Sequence, residues 1–492
     1  MTLFVQSVGC IFIGKLMSEK PRAQINRRQG FSLLLTLGFT LVLLLGMTKL
    51  AFLFAHISSD PDEGWNAIHA VLAMGGGALY PPGELTGTNY PPASFLLVGL
   101  VGKLVGDMIF SGRLLAVMGV VCTAGLIWQI SLKLTRDRAA AAAALLLFSL
   151  YNVTLCRSYL GMDDPQWLGQ SCALLGLTLL LPQTANTMPD RRRISLAAVL
   201  FVTSGFVKQN LVGIPIAVTL WLALEDRRAF MVWLLSACAA LAIGFGLCAH
   251  AYGLPFFLDI FSSPRHYVAS RAIIRSLPFL LSLLPMIAAA CWLLRFRQQD
   301  ARLRLLLICA LLALITGIVE RCGAGVDINA HFETLSVLCI VSGLALARTQ
   351  RTWWWFALPF LVLIPLGTAR GWQDIASYPQ RQATFQAMEA HILSENGPIA
   401  CEDMAYCYWA GKGSQLDFFL YGQRVLATKS DTALRGAVEN GKIRLAEISA
   451  SLGMTENDPL AAQIQGWSNK TIYRSGDDAL VMLSSQMAED KP

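Results

Sequence analysis

Charge is scarce in this chain. Only 14% of its 492 residues are Asp, Glu, Lys or Arg, and 55% are hydrophobic; soluble domains are about a quarter charged. Such a composition fits several bilayer crossings better than one water-soluble core. Nucleotide loops are missing as well. Neither GxxxxGK[ST] nor GxGxxG occurs, so ATP-driven transport and dinucleotide chemistry have no footing. Histidine is sparse, six in all, and no tight His/Asp spacing marks a metal centre. The Asp, Glu and His of the loops are nonetheless donor types that suit Mn²⁺ or Mg²⁺, so a divalent metal stays open and no cofactor is assigned. The twelve cysteines form no framework, because most sit singly in apolar runs as small hydrophobes. Cys401 and Cys407 are the exception, either as a disulfide in an oxidising compartment or as two thiols. The weak apolar run Leu3–Leu16 is no secretory signal, and Met1 and Met17 both remain candidate starts.

What is present in abundance is apolar sequence. A crossing helix needs about 20 apolar residues. Eleven stretches are read as spans, at 31–55, 112–132, 139–156, 166–182, 194–207, 210–224, 229–251, 277–294, 304–319, 334–347 and 352–369. Basic residues gather in short connections: Arg22/Arg27/Arg28, Lys133/Arg136/Arg138, Arg191–Arg193, Arg227/Arg228, Arg295/Arg297/Arg302/Arg304 and Arg348/Arg351. The net charge of +7 therefore reflects the positive-inside rule and calls for no nucleic acid. With all these clusters cytoplasmic, the spans alternate without conflict, provided Ala93–Gly106 lies along the outer surface. The expected fold is an all-α polytopic membrane protein. It divides into a cytoplasmic segment 1–30, a transmembrane domain 31–369 with a first outward loop at 56–111, and an extracytoplasmic α/β or irregular domain at 370–492.

That orientation puts several polar groups outside. Asp60, Asp62 and Glu63 stand within four residues at the first span's outer edge. Asp60 or Asp62 can cap a helix over 62–74, but three acids exceed what one cap needs. On that helix Asp62, Asn66 and His69 are expected to face an aqueous cavity, with Trp65, Ile68 and Leu72 on the buried side. Asp163 and Asp164 precede Pro165 at a second outward turn, where one of them can serve as N-cap. Lys208 sits between two short apolar segments, and charge at that depth is functional by default. Arg265, His266 and Arg271 break the positive-inside trend; an outward Arg cluster suits a phosphate or an anionic headgroup. Asp327, Asn329, His331 and Glu333 read as a solvated loop.

In order, "DPDEGWNAIHAVLAMGGGALYPP", "NYPPASFLLVG", "FSGRLLAVMGVV", "KLTRDR", "YLGMDDPQW" and "FVKQN" resemble the GT-C glycosyltransferases over about residues 31–275. These are integral membrane enzymes that take a sugar from a polyprenyl-phosphate carrier. The likeness is greatest to the branch holding aminoarabinose lipid A transferases and protein O-mannosyltransferases. The resemblance implies that Asp62 is the first-loop catalytic acid, followed by Glu63, and that Asp164 is the second-loop acid. It places Lys208 and the stretch from Arg265 through Arg271 at the lipid phosphate. One departure matters: Asn89-Tyr90-Pro91-Pro92 lacks the Lys that lipid A transferases carry beside this turn, which unsettles an aminoarabinose substrate.

The expected function is an inverting glycosyl transfer from a polyprenyl-phosphate sugar to a lipid or glycan acceptor of the cell envelope. Asp62 would be the base, Glu63 and Asp164 its catalytic partners, and Asp60, Asp163, Lys208, Arg265, His266 and Arg271 the substrate contacts. The expected place is the outer side of a bacterial inner membrane, with membrane lipids as further partners. A flippase of lipid-linked saccharides is the first alternative, although transporters usually show related halves with broken helices at mid-membrane. A glycan polymerase or ligase is the second.

Overall fold

A computed structural model of the chain describes residues 29–182, 184, 187–349, 354–449 and 460–483. The candidate start Met17 and most of the segment 1–30 lie outside the described residues. Helices occupy all eleven apolar stretches: α1 (Gln29–Leu50), α4 (Met108–Thr135), α5 (Arg138–Val153), α6 (Gln166–Leu180), α7 (Arg191–Val207), α8 (Gly213–Glu225), α9 (Arg227–Tyr252), α11 (Ala269–Leu293), α12 (Ala301–Glu320), α13 (Phe332–Thr349) and α14 (Trp354–Ser394). Among the described residues, seven of these helices are long and apolar enough to cross a bilayer unaided. The protein is thus a polytopic membrane protein. Helix α13 is buried from Phe332 to Leu346, the mark of a helix at the centre of a bundle. α6 packs between α4 and α7, and α8 packs on α12.

Two helices belong to the first loop: α2 (Pro61–Val71) and α3 (Ala93–Val105), which pack on each other and on α4. α2 starts where the sequence says it should. Asp60 accepts the Asp62 N–H at 3.1 Å, and Pro61 occupies the first turn, where its fixed φ is favourable.

The tail departs from its expected boundary. α14 runs unbroken through residue 370 to Ser394, so the change in composition there falls inside one helix, and the tail's sheet begins only at Ile399. That sheet comprises β1 (Ile399–Cys401), β2 (Leu445–Ser449), β3 (Ser468–Ser475) and β4 (Asp478–Leu483) in the order β1-β2-β4-β3. β1 and β2 are parallel, and the other pairs antiparallel. Helices α15 (Met404–Trp409), α16 (Phe418–Thr428), α17 (Thr432–Glu439) and α18 (Leu460–Trp467) complete it. Cys401 and Cys407 are joined as a disulfide.

The tail rests directly on the first loop. α15 packs against α2, the Tyr408 hydroxyl accepts the Met108 N–H at 2.7 Å, and the Trp409 indole donates to Asp107 at 2.8 Å. Gly64 makes the approach feasible: a Cβ there would lie 1.9 Å from the Ala405 nitrogen. Gly64→Ala is therefore expected to destabilise the protein by at least the ~1–3 kcal/mol typical of overpacking, read as a lower Tm. An unchanged Tm would mean that α15 can withdraw freely from α2.

Candidate active site

Three elements bring the acids together: the start of α2, the turn before α6, and the α7–α8 connection. Asp62 is exposed on α2, and its carboxylate has no hydrogen-bond partner among the described residues. Asp164 is buried and accepts the Lys208 ammonium at 3.0 Å with one oxygen and the Gln166 N–H at 2.7 Å with the other. The Lys208 ammonium also lies 3.9 Å from the centroid of the Tyr90 ring, a cation–π distance. Asp62 feels the charges of Lys208, Asp164, Asp327 and Arg265. Asp62 opens to solvent on one side only, and the protein around the rest of its carboxyl pushes it up to about 6, while Lys208 pulls the other way. Asp60 is raised to about 8, first by burial and then by the Asp62 charge.

Glu63 has a different environment. It is fully buried and takes two bonds from the Arg113 guanidinium, at 2.8 and 2.6 Å. It also accepts the N–H groups of Ser59 (2.8 Å) and Asp163 (3.1 Å). Arg113 spends its other donors on the carbonyls of Leu53, Ala55 and Ile57, so all five N–H groups are used. Glu63 and Arg113 thus form the joint between the first span's exit, α2, α4 and the second turn. Every Glu63 oxygen is committed to that joint, which makes Glu63 a positioning group in place of the catalytic role expected for it.

Asp163 separates from Asp164. Its carboxyl is buried against Gly112, where a Cβ would fall 1.8 Å from an Asp163 oxygen. Burial, then the Glu63 charge, holds the Asp163 carboxyl well above the usual range. An acid buried against α4 does not fit the substrate contact expected of it. Asn66 donates to the Asp62 and Asp163 carbonyls at 2.9 and 2.7 Å, linking the two loops.

The expected faces of α2 are also revised. His69 does not open on a cavity. It is buried beside Trp65 with ring centroids 3.9 Å apart, facing the carbonyls of Trp65 and Gly87; burial lowers its pKa to about 4. The Trp65 indole donates to Asp417 of the tail at 2.7 Å.

The basic segment divides too. The half-buried Arg265 has its guanidinium 5.9 Å from the Phe419 ring centroid, with no hydrogen bond or ion pair among the described residues. His266 is exposed, and its backbone N–H donates to Gln423 at 2.8 Å. Arg271 is buried in the first turn of α11, so Arg265 is the one set in the field of Asp62. The loop read as merely solvated holds structural groups: Glu333 accepts the Gly213 and Ile214 N–H groups at 2.8 and 3.0 Å, capping α8 from another helix. Asp327 pairs with Arg321 at 3.0 Å. Glu320 accepts from Asn210 at 3.0 Å. Among the described residues no group of three His, Cys, Asp or Glu is placed to hold a metal.

Sequence reading missed Arg113, Tyr90, Glu320 and the tail residues Asp417 and Phe419. For Arg113 a signal existed, since an Arg at the edge of an apolar run needs a partner. No family model and no curated protein matches the chain. Among solved structures, ArnT from Cupriavidus metallidurans in the apo state matches with a TM-score of 0.59. The same protein bound to undecaprenyl phosphate matches with a TM-score of 0.57. In both cases identity is 13%, over 92% of this chain and 99% of that one. The likeness spans the membrane bundle and the tail alike, so this chain shares the fold of ArnT over most of its length.

Proposed function

We propose that the protein is a glycosyltransferase that moves a sugar from a polyprenyl-phosphate donor to a cell-envelope acceptor, on the outer side of the inner membrane, with inversion. One observation carries this reading: an exposed carboxylate, Asp62, shares its field with the Asp164–Lys208 pair and with the Arg265 guanidinium, and among the described residues neither Asp62 nor Arg265 has an ionic partner. Asp62 removes the proton from the acceptor hydroxyl as its oxygen attacks the anomeric carbon. The bond from that carbon to the phosphate oxygen breaks, and its electron pair leaves on the phosphate. Arg265 meets the developing charge, where a fixed cation in a poorly hydrated site outperforms water. The Lys208 ammonium is already engaged by Asp164, so it orients that acid and adds positive potential. His266, beside Arg265, borders the same phosphate. The solved neighbour bound to undecaprenyl phosphate supports a lipid phosphate as ligand.

Transfer of radiolabelled sugar from polyprenyl phosphate to envelope acceptors in proteoliposomes tests the reaction; movement of the lipid without transfer would favour a flippase. Arg265→Ala is expected to raise the donor KM about 10- to 100-fold, as for loss of a hydrogen bond to a charged group, with acceptor KM little changed. An Arg265→Ala enzyme with parental donor kinetics would place the phosphate elsewhere. Orientation has its own test. A cysteine at the exposed Lys470 of β3 should react with an impermeant reagent in intact spheroplasts, and protection there would overturn the outward placement of the tail.

A further inference from the structure

The tail also reaches the site through an aromatic ring, that of Phe419. The segment holding Arg265 is tied to the loop after α12: the Val268 N–H donates to Cys322 at 2.8 Å, and the Ala324 N–H to His266 at 2.9 Å. Phe419, at the start of α16, is seated on that same loop. Gly325 has φ +71, and a Cβ there would lie 2.6 Å from the Phe419 ring. The Arg265 guanidinium also lies by this ring, 5.9 Å from its centroid. α16 itself is fixed from two sides, by Asp417 accepting the Trp65 indole at 2.7 Å and by Gln423 accepting the His266 N–H.

We infer that Phe419 is a positioning residue for the lipid phosphate: it holds the Arg265 guanidinium in place by ring contact and leaves its N–H donors unspent. An aromatic face attracts a cation without consuming a hydrogen bond, whereas a carboxylate partner would occupy the fork that a phosphate needs. The tail is then part of the donor site, not a separate module resting on it. This inference builds on the proposed role of Arg265 and is tested so that the two can fail separately.

The probe is polyprenyl phosphate without sugar, bound to the full-length protein in detergent. Phe419→Leu is expected to weaken binding about two- to fivefold, the range of an exposed cation–π contact, while Phe419→Tyr retains it. In an Arg265→Ala background, Phe419→Leu should add nothing, because the coupling belongs to the pair. A fluorinated phenylalanine at 419, equal in shape but with a weakened ring quadrupole, should reproduce part of the loss in a fully folded protein. If Arg265→Ala weakens binding and neither the leucine nor the fluorinated ring does, the inference is overturned and the phosphate role of Arg265 stands. An equal Phe419→Leu effect with and without Arg265 would also overturn it, since the ring would then act through the fold alone. Parental binding by Arg265→Ala would remove both.

Discussion

Asp62→Asn is expected to lower turnover by about 10²–10⁴-fold, the usual worth of a general base, with donor binding and Tm close to the parent's. Asn keeps the shape and solvent exposure of Asp62 but cannot take a proton. The pH profile supplies a second reading. With its carboxyl pushed up to about 6, Asp62 is ionised and competent above that pH. Below it the base is progressively protonated, so activity falls about tenfold per unit. Asp60, raised to about 8, keeps its proton near neutrality and leaves Asp62 the anionic member of the pair. The residual activity of Asp62→Asn should lose the acidic limb. Near-parental turnover in that variant would remove Asp62 from the mechanism.

The largest effect on stability is expected at the Glu63–Arg113 joint. Glu63→Gln leaves the Arg113 charge buried without its counter-ion, a change that costs about 3–5 kcal/mol for a buried pair. Arg113→Met should cost at least as much, because it strips a donor from Glu63 and from the carbonyls of Leu53, Ala55 and Ile57 together. Replacing both partners by apolar residues often rescues such pairs. Here rescue should be partial, since three carbonyls stay orphaned. A double-mutant cycle on Tm in detergent measures the coupling, and a Glu63→Gln protein as stable as the parent would refute the account.

Sequence periodicity and basic clusters made the eleven membrane-region helices legible, and cap chemistry placed the start of α2. The bilayer narrows the choice, because each crossing must satisfy its own backbone. Partnerships across the chain were not legible. Asp163 and Asp164 look equivalent in sequence, yet adjacent residues on an extended turn point apart, one to Gly112 and the other to Lys208. A helical wheel gives α2 one buried face and one open face. In the structure α2 is enclosed on several sides, by α3, α4 and α15. Trp65 and His69, four residues apart, share one of those sides. The Arg113 joint closes over a separation of 50 residues, beyond any local pattern.

The unbroken α14 has a mechanical meaning. At about 1.5 Å per residue its 41 residues form a rod of roughly 60 Å, about twice the thickness of the hydrocarbon. Its first half is apolar enough to cross a bilayer and packs on α5 and α11, and its second half packs on α15, β3 and β4. Pro359, Pro365 and Pro379 lie inside this rod and can bend it without ending it. α14 is thus one continuous strut: it runs from the apolar bundle to α15, and α15 in turn braces the helix that carries Asp62.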